Sequence, residues 1–451
     1  MRRMIGIELR RSNALTLVLL IVGATVAALA LSGNDWHTTW TRLSYMHGSA
    51  LFLLLPLAVA GGAVLGRREK RTRADELIAS TGRPKAQRLL PGLLALGVAA
   101  ALAHGIAFAA AGILPAVTGS YAGVTALLWP LTGMVAMLGG VWLGLAAGRA
   151  WASPLVPPLV AVLALFAQLG LSEAGGPGGS SPLRNLSFLS QPPSYDWEMI
   201  APAVLLGWTV LGLGLAGAGY LLATGRSWMP RVAAVAVLGV AGTIAAAVPG
   251  TEQKDHFRVD AGAQKLVCAD GAPQVCVTAV HAYVLDDAAP QVRKAMQLLA
   301  KLPGAPTRAA EWRADKVYNF GDSDWMTGGT TPPEPGTLAF DLVLDDNKIS
   351  DALVENIVVG AGTYWNGCQD GWDTVAGRAA GAWLMGTDKL DGVEDGSERD
   401  PEAQQQVQTV LAALRAAPEK EQVRRVAAMR DAALSCEDVD QVAILTGKAS
   451  T

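Results

Sequence analysis

The side chains of this 451-residue chain best suited to chemistry are four cysteines and a few histidines. Cys268, Cys276, Cys368 and Cys436 all lie after residue 250. An even number confined to one region suggests disulfides, a covalent rather than a catalytic use. "CADGAPQVC" reads as a hairpin that a Cys268–Cys276 bridge would close, which leaves Cys368 and Cys436 as the second pair. Four unpaired buried thiols are the alternative. His256 and His281 have no second histidine at i+4, so a zinc hydrolase site would need scattered carboxylates, and satisfied structural histidines are the simpler reading. No HExxH, GxSxG, CxxC or GxxxxGK[ST] occurs. No catalytic residue, resident metal or nucleotide cradle is therefore expected in the chain itself.

The elements that would position any such residue follow from charge and hydropathy. Over the whole chain Lys+Arg number 36 and Asp+Glu 39. Residues 1–250 hold 17 of the basic and 8 of the acidic side chains, a charge of +9, so the remainder carries −12. Two regions in different surroundings are implied. A bilayer crossing needs about 20 mostly apolar residues. Seven segments qualify, near 14–31, 49–66, 90–113, 122–147, 154–171, 200–223 and 232–248, the last being short and rich in Ala and Val. "MRRM" before an apolar stretch and "ALALSG" also fits a cleaved signal peptide, but the spans that follow favour a retained helix.

Orientation follows from the basic residues. With the N-terminus inside, segments 1–13, 67–89, 148–153 and 224–231 are cytoplasmic and hold 15 of the 17 basic residues, with only Arg42 and Arg184 outside. This is the positive-inside pattern, and seven crossings then place the C-terminal region outside the cytoplasm. Residues 1–13 suit a short interfacial helix, with a plain charged flank as the alternative. Trp36, Trp40 and Tyr45 in the first outside loop suit the headgroup layer, and Leu183–Leu189 in the outside loop 172–199 reads as a re-entrant or interfacial helical element, with plain loop as the alternative. Inside the spans His104 is the sole ionisable side chain at depth, read as a hydrogen-bonded packing residue rather than a proton relay. Carriers driven by ions usually keep intramembrane carboxylates, so energy coupling within the spans is not expected. "GLGLAGAG" in the sixth span suits close helix packing.

Residues 251–451 read as an extracytoplasmic α+β domain. "KLVCADGAPQVCVTAVHAYVL" is a hairpin, "AAPQVRKAMQLLAKL" a helix and "GTLAFDLVL" a strand. Val407, Val410, Leu411 and Leu414 recur at helical spacing in a mainly helical remainder. "DKLDGVEDGSERDPE" is an acidic turn region without the ligand spacing of an EF-hand.

The segment "RREKRTRADELIASTGRPKAQRLL", residues 67–90, holds eight Lys or Arg residues around an acidic-apolar insert. "ADELIAS" is too short to be a stable free helix, so it needs support from the membrane on one side and a partner on the other. Leu77 and Ile78 offer the apolar contact, and Asp75 and Glu76 favour a helix N-terminus. A plain topological loop is the alternative. The segment resembles the coupling loop of permease subunits of ABC-type-2 transporters, through Glu69, Asp75, Glu76, Leu77, Ile78, Ser80, Thr81 and Arg83. Ala74 and Gly82 depart from that pattern. The resemblance extends over residues 1 to about 225. It implies a polytopic α-helical membrane protein with a six-span permease core at 14–223, working as a dimer of membrane subunits. It also implies a separate cytoplasmic ATPase that holds ATP and magnesium and contacts Glu69, Arg73, Asp75, Glu76, Leu77, Ile78 and Arg83. The cytoplasmic turn and seventh span at 224–250 and the domain at 251–451 are additions to that core. A second, weaker likeness is that of "DTVAGRAAGAWLMG" to the active-site helix of gluzincin aminopeptidases, with Gly377, Arg378 and Gly381 where that family has His, Glu and His. It implies a degenerate peptidase-like domain, and an ordinary amphipathic helix is the alternative.

Overall fold

A computed structural model of the chain describes residues 14–71, 85–174, 176, 181–189, 192–225, 227–317, 334–345, 347–365, 373–390, 392 and 400–448. They form two compact units, the first ending at Arg258 and the second made of Val259 onward with Gly119–Tyr121. The break falls after the expected position near 250 because the segment that follows the last apolar helix returns to the first unit. There the Ala201 N–H donates to the His256 carbonyl at 2.7 Å.

All seven apolar segments of the first unit are helical. They are α1 (Ala14–Leu31), α3 (Leu51–Arg71), α4 (Lys85–Ala111), α6 (Val124–Ala150), α7 (Val156–Ser172), α8 (Pro202–Thr224) and α9 (Trp228–Ala247), joined by the short helices α2 (Trp40–Ser49) and α5 (Ile113–Thr118) and followed by the one-turn helix α10 (Gln253–His256). In a bilayer every backbone donor and acceptor must be satisfied within the chain, which a helix does for any run of Leu, Ala and Val. Among the described residues five stretches are long and apolar enough to cross a membrane: Leu51–Arg68, Ala86–Thr118, Val124–Ala150, Pro202–Thr224 and Trp228–Ala247. The other two apolar helices give shorter apolar stretches, Leu15–Leu31 and Val156–Ser172, the first of which begins at the edge of the described residues. The segment near 232–248 qualifies because its helix starts earlier, at Trp228.

The centre of this unit is the crossing of α3 and α6, whose backbones meet without intervening side chains. A Cβ on Gly62 would run into the Val141 carbonyl oxygen, and one on Gly66 into that of Leu145. In return, Cβ atoms on Gly144 and Gly148 would run into the carbonyl oxygens of Val59 and Ala63. Both helices thus present small residues four apart, the spacing that stacks them on one face. The expected packing role of the "GLGLAGAG" run also holds: Gly212 and Gly219 in α8 lie against the α6 backbone at Ala136 and Trp142.

Connections at one end of the first unit interlock. Thr118 Oγ1 donates to the Thr38 carbonyl at 3.3 Å, and Arg42 Nε to Asp196 Oδ1 at 2.5 Å. Residues Pro182–Leu186 form a short 3-10 helix within the stretch that the sequence offers as a helical element or plain loop. From it Asn185 Nδ2 donates to the carbonyls of Ala246 at 2.9 Å and Gly250 at 2.6 Å. Strand β1 (Glu198–Ile200) shares a two-stranded sheet with β2 (Phe257–Val259).

The second unit has a four-stranded sheet of β3 (Leu266–Ala269), β4 (Gln274–Thr278), β5 (Arg308–Glu311) and β6 (Thr337–Phe340), in that order. β3 and β4 are antiparallel with Cys268 opposite Cys276, and β4, β5 and β6 run parallel. The β4-to-β5 connection carries α11 (Leu285–Leu299), which buries Leu285, Ala288, Val292, Ala295, Met296 and Leu299 along one stripe. The expected hairpin, helix and strand all occur. The inner strand β5, "RAAE", is not legible in the sequence because it holds only two alanines between two charges. Its position between two neighbours defines it, and Ala309 is fully buried. Helices α12 (Leu353–Val358), α13 (Thr374–Met385), α14 (Pro401–Arg415), α15 (Glu419–Leu434) and α16 (Gln441–Thr446) complete the unit. Its core joins Val275, Ala309 and Phe340 of the sheet to Val292, Ala379 and the expected Val407, Val410, Leu411 and Leu414.

Replacing Gly144 or Gly148 by leucine forces α3 and α6 apart and should lower stability by at least about 2 kcal/mol, as overpacking of a tight core does. Gly239→Ala, where a Cβ would meet nothing within 4 Å, should be tolerated. Retention of the monodisperse peak after stepwise heating in detergent compares the variants, and equal losses would contradict the crossing.

Candidate functional site

The resemblance placed the partner contact in the charged loop 67–89. Glu69 falls within α3, which continues to Arg71, and α4 resumes at Lys85, so helix occupies both flanks of the expected loop. Arg73, Asp75, Glu76, Leu77, Ile78 and Arg83 lie outside the described residues, as does the expected interfacial helix 1–13. The described frame is a pair of helix ends held by close packing. Gly66 and Gly148 make their backbone contacts near the end of α3, and Trp142 Nε1 of α6 donates to the Leu93 carbonyl of α4 at 2.8 Å. A helix of 21 residues is about 31 Å long, so α3 separates this end from the interlocked connections at its start.

That opposite end contains polar groups the sequence did not single out. The connection after α1 is largely helix α2, in which Trp40 and Tyr45 are half-buried. Trp36 is buried and donates Nε1 to the Leu29 carbonyl at 3.0 Å. Ser44 Oγ donates to the Ala126 carbonyl at 2.7 Å. His47 is wholly buried against His104, with ring centroids 4.0 Å apart, and its Nε2 lies 3.2 Å from the His104 carbonyl oxygen. The expected hydrogen-bonded role of the His104 ring is not found, since neither ring nitrogen has a hydrogen-bond partner. His104 has company because α2 folds a second histidine onto it. No spacing in the sequence signals that contact.

Glu198 on β1 is also enclosed, at 1% exposure. Oε2 accepts the Ser194 N–H at 2.8 Å and Oε1 has no partner. Burial pushes its carboxyl up to about 7, opposed by the backbone donors of Ser194 and Tyr195 and helped by the neighbouring Asp196 charge. Asp196 itself is held by Arg42.

In the second unit the Cys268–Cys276 disulfide is formed, as expected. Cys436 is also disulfide-bonded, and its expected partner Cys368 lies outside the described residues. His281 is a structural histidine, and its partner is one the sequence did not reveal. Its Nδ1 is 2.5 Å from Glu311 Oε1, while Glu311 Oε2 accepts the Thr278 N–H at 2.6 Å and the Thr278 hydroxyl at 2.8 Å. Glu311 is the last residue of β5, so it stayed hidden with that strand. In α13, Gly377, Arg378 and Gly381 are all buried. Arg378 Nη2 donates to the Leu390 carbonyl at 2.8 Å, and a Cβ on Gly381 would lie 3.2 Å from the Val359 Cα. This helix is filled on the face that a metal site would need open. Among the described residues no group of three or more His, Cys, Asp or Glu side chains is placed to hold a metal ion.

Comparison of the chain with models of known families, with curated proteins and with solved structures finds no match.

Two predictions follow from the buried acids. Glu198 binds its proton more tightly folded than unfolded, so its contribution to stability is complete below about 4.5 and is lost as pH rises through about 7. The total change is about 3 kcal/mol. Glu198→Gln should flatten this part of the pH–stability curve and stabilise the protein above pH 7, and a curve that keeps its slope would contradict the burial argument. Glu311→Ala leaves the Thr278 N–H and His281 without their shared acceptor. It should cost about 3–5 kcal/mol in thermal or denaturant unfolding, as removal of one partner from a buried pair does.

Proposed function

We propose that this chain is the membrane-spanning subunit of an ATP-driven ABC exporter, forming the translocation path and coupling to a separate cytoplasmic ATPase through the loop 67–89. The observation that carries the reading is the arrangement of the first unit around that loop. α3 and α4 extend as helix into the basic segment and are braced there against α6, so a push on the connection between them is passed to the bundle. The chain has no nucleotide-binding sequence of its own, and ATP with magnesium belongs to the partner. Two membrane subunits together line the path, whose apolar walls suit an amphipathic cargo.

The topology proposed with it has seven crossings in a cell membrane, an N-terminus inside and residues 251–451 outside. The hydrogen bonds Thr118–Thr38, Arg42–Asp196 and Asn185–Gly250 support it. They join the connections after the first, third, fifth and seventh apolar helices, which must share one side of a membrane if each helix crosses it. The basic residues gather in the other set of connections.

Glu76→Lys and Leu77→Asp should abolish copurification of the ATPase and ATP-dependent export while leaving the chain inserted and monodisperse. Normal export by both variants would end this reading.

An alternative is a membrane-anchored binding or sensing protein acting through the second unit, with or without a peptidase ancestry. It is favoured by that unit's separate hydrophobic core and by an open groove of about 800 Å³ lined by Asp373, Glu402, Gln405, Thr409 and Asp440. A soluble fragment from residue 259 that binds a defined ligand, in a protein whose deletion leaves export unchanged, would support it.

A further inference from the structure

The first unit buries polar atoms that its own chain leaves without hydrogen-bond partners, and six of them fall on three neighbouring elements. Thr39 Oγ1, His47 Nδ1, both ring nitrogens of His104, Thr125 Oγ1 and Trp129 Nε1 all lack one. Each of these five side chains is more than nine-tenths buried. They belong to α2 and its N-cap Thr39, to α4, and to the first turns of α6.

Packing joins those on α2, α4 and α6 into a column, and Thr39 caps the start of α2. Ser44 bonds to Ala126, next to Thr125. One turn further along α2, Gly48 lies so close to the Trp129 indole that a Cβ there would sit 2.5 Å from Nε1. One turn further along α6, Gly133 backs the His104 ring, where a Cβ would stand too close to Nε2 to fit. His47, beside Gly48, stacks on His104. His104 is seven residues from the end of α4 at Ala111, on the order of 10 Å into the bundle at 1.5 Å per residue.

An unmet buried donor or acceptor costs about 1–3 kcal/mol. Several together rival the roughly 5–15 kcal/mol that holds a domain folded. Buried polar groups are almost always paired with protein or with water, so a cluster its own chain leaves unmet calls for a small partner, and the inventory of donors and acceptors says which kind. The Trp129 N–H can only donate. The His47 ring uses Nε2–H on the His104 carbonyl, so its Nδ1 accepts. A neutral His104 ring offers one donor and one acceptor, and the threonine hydroxyls offer both. Uncharged side chains make up the whole column, so an ionic ligand would be buried without a counter-charge.

We propose that this column is a binding site for small neutral groups that both donate and accept hydrogen bonds, namely hydroxyl and primary amide groups. It lies between α2, α4 and α6 and runs inward from Thr39 and Thr125 to His104. The site is independent of the exporter reading, since it needs neither an ATPase nor a second subunit.

The test uses iodoacetamide, itself a primary amide, on the full-length chain in lipid nanodiscs. Among the described residues no cysteine is free, and the alkylation rate of the unsubstituted chain is subtracted as background. Thr125→Cys and His47→Cys place it in the column, while Leu54→Cys and Met137→Cys place it in equally buried apolar packing of the same unit. A thiol reacts as thiolate, which forms only where its surroundings are polar, so both column variants should be alkylated at least ~tenfold faster than both controls. Excess acetamide should slow the column variants and leave the controls unchanged. Thr125→Cys is close to isosteric and guards against misfolding of the histidine variant, and all variants are required to elute as the wild type. Alkylation of the column variants at the control rate would overturn the site, and so would fast alkylation indifferent to acetamide, which marks a wet crevice that binds nothing.

Discussion

The first unit depends on one close approach, the crossing of α3 over α6 through Gly62, Gly66, Gly144 and Gly148. Between apolar helices in lipid there is little hydrophobic gain from association, so contact area and dispersion must supply the cohesion. Removing the side chains at the crossing lets the two backbones touch. α6 can then serve as the post on which α3, α4 and α8 lean. The helix ends that flank the charged connection 72–84 owe their mutual placement to this contact, and so does the alignment of α2 with the first turns of α6.

The two ends of this unit are built differently. At the end where α3 begins, connections are tied to one another by hydrogen bonds and an ion pair, including Arg42–Asp196 and Asn185 to the carbonyls of Ala246 and Gly250. Polar groups are drawn inside there, among them Glu198, His47 and His104. At the other end, packing of apolar and small residues stops where the basic residues begin, and the helices continue past it. A unit tied at one end and braced at the other can pass a movement of the charged connection along its helices, which is the mechanical content of the exporter reading.

Legibility followed the length scale of each signal. The apolar helices were visible because a run of Leu, Ala and Val has one solution in a bilayer. Amphipathic α11 and α14 were visible through the recurrence of Val292, Met296, Val407 and Leu411 at helical spacing. Helix α2 was missed because "WTRLSYMHGS" has a mixed composition that suits an interface as well as a buried half-helix, and its contact with Trp129 involves residues some eighty positions away. Strand β5 was missed because two alanines between charges carry no β signature, and Glu311 was missed with it. The fifth apolar segment reads as a full span, and its helix is a shorter apolar one of 17 residues, Val156–Ser172.

Composition and local pattern alone determined the division into an apolar, basic part and a polar, acidic part, the helical nature of the first, and the Cys268–Cys276 bridge. Each of these rests on neighbours in sequence or on transfer of a segment between solvents. Which histidine meets which, which carboxylate is sealed from water, and which glycines touch were decided only by tertiary structure. The energies involved come from pairs such as His47 with His104, His281 with Glu311 and Gly144 with Val59, and no local sequence signal specifies a contact whose two halves are distant along the chain.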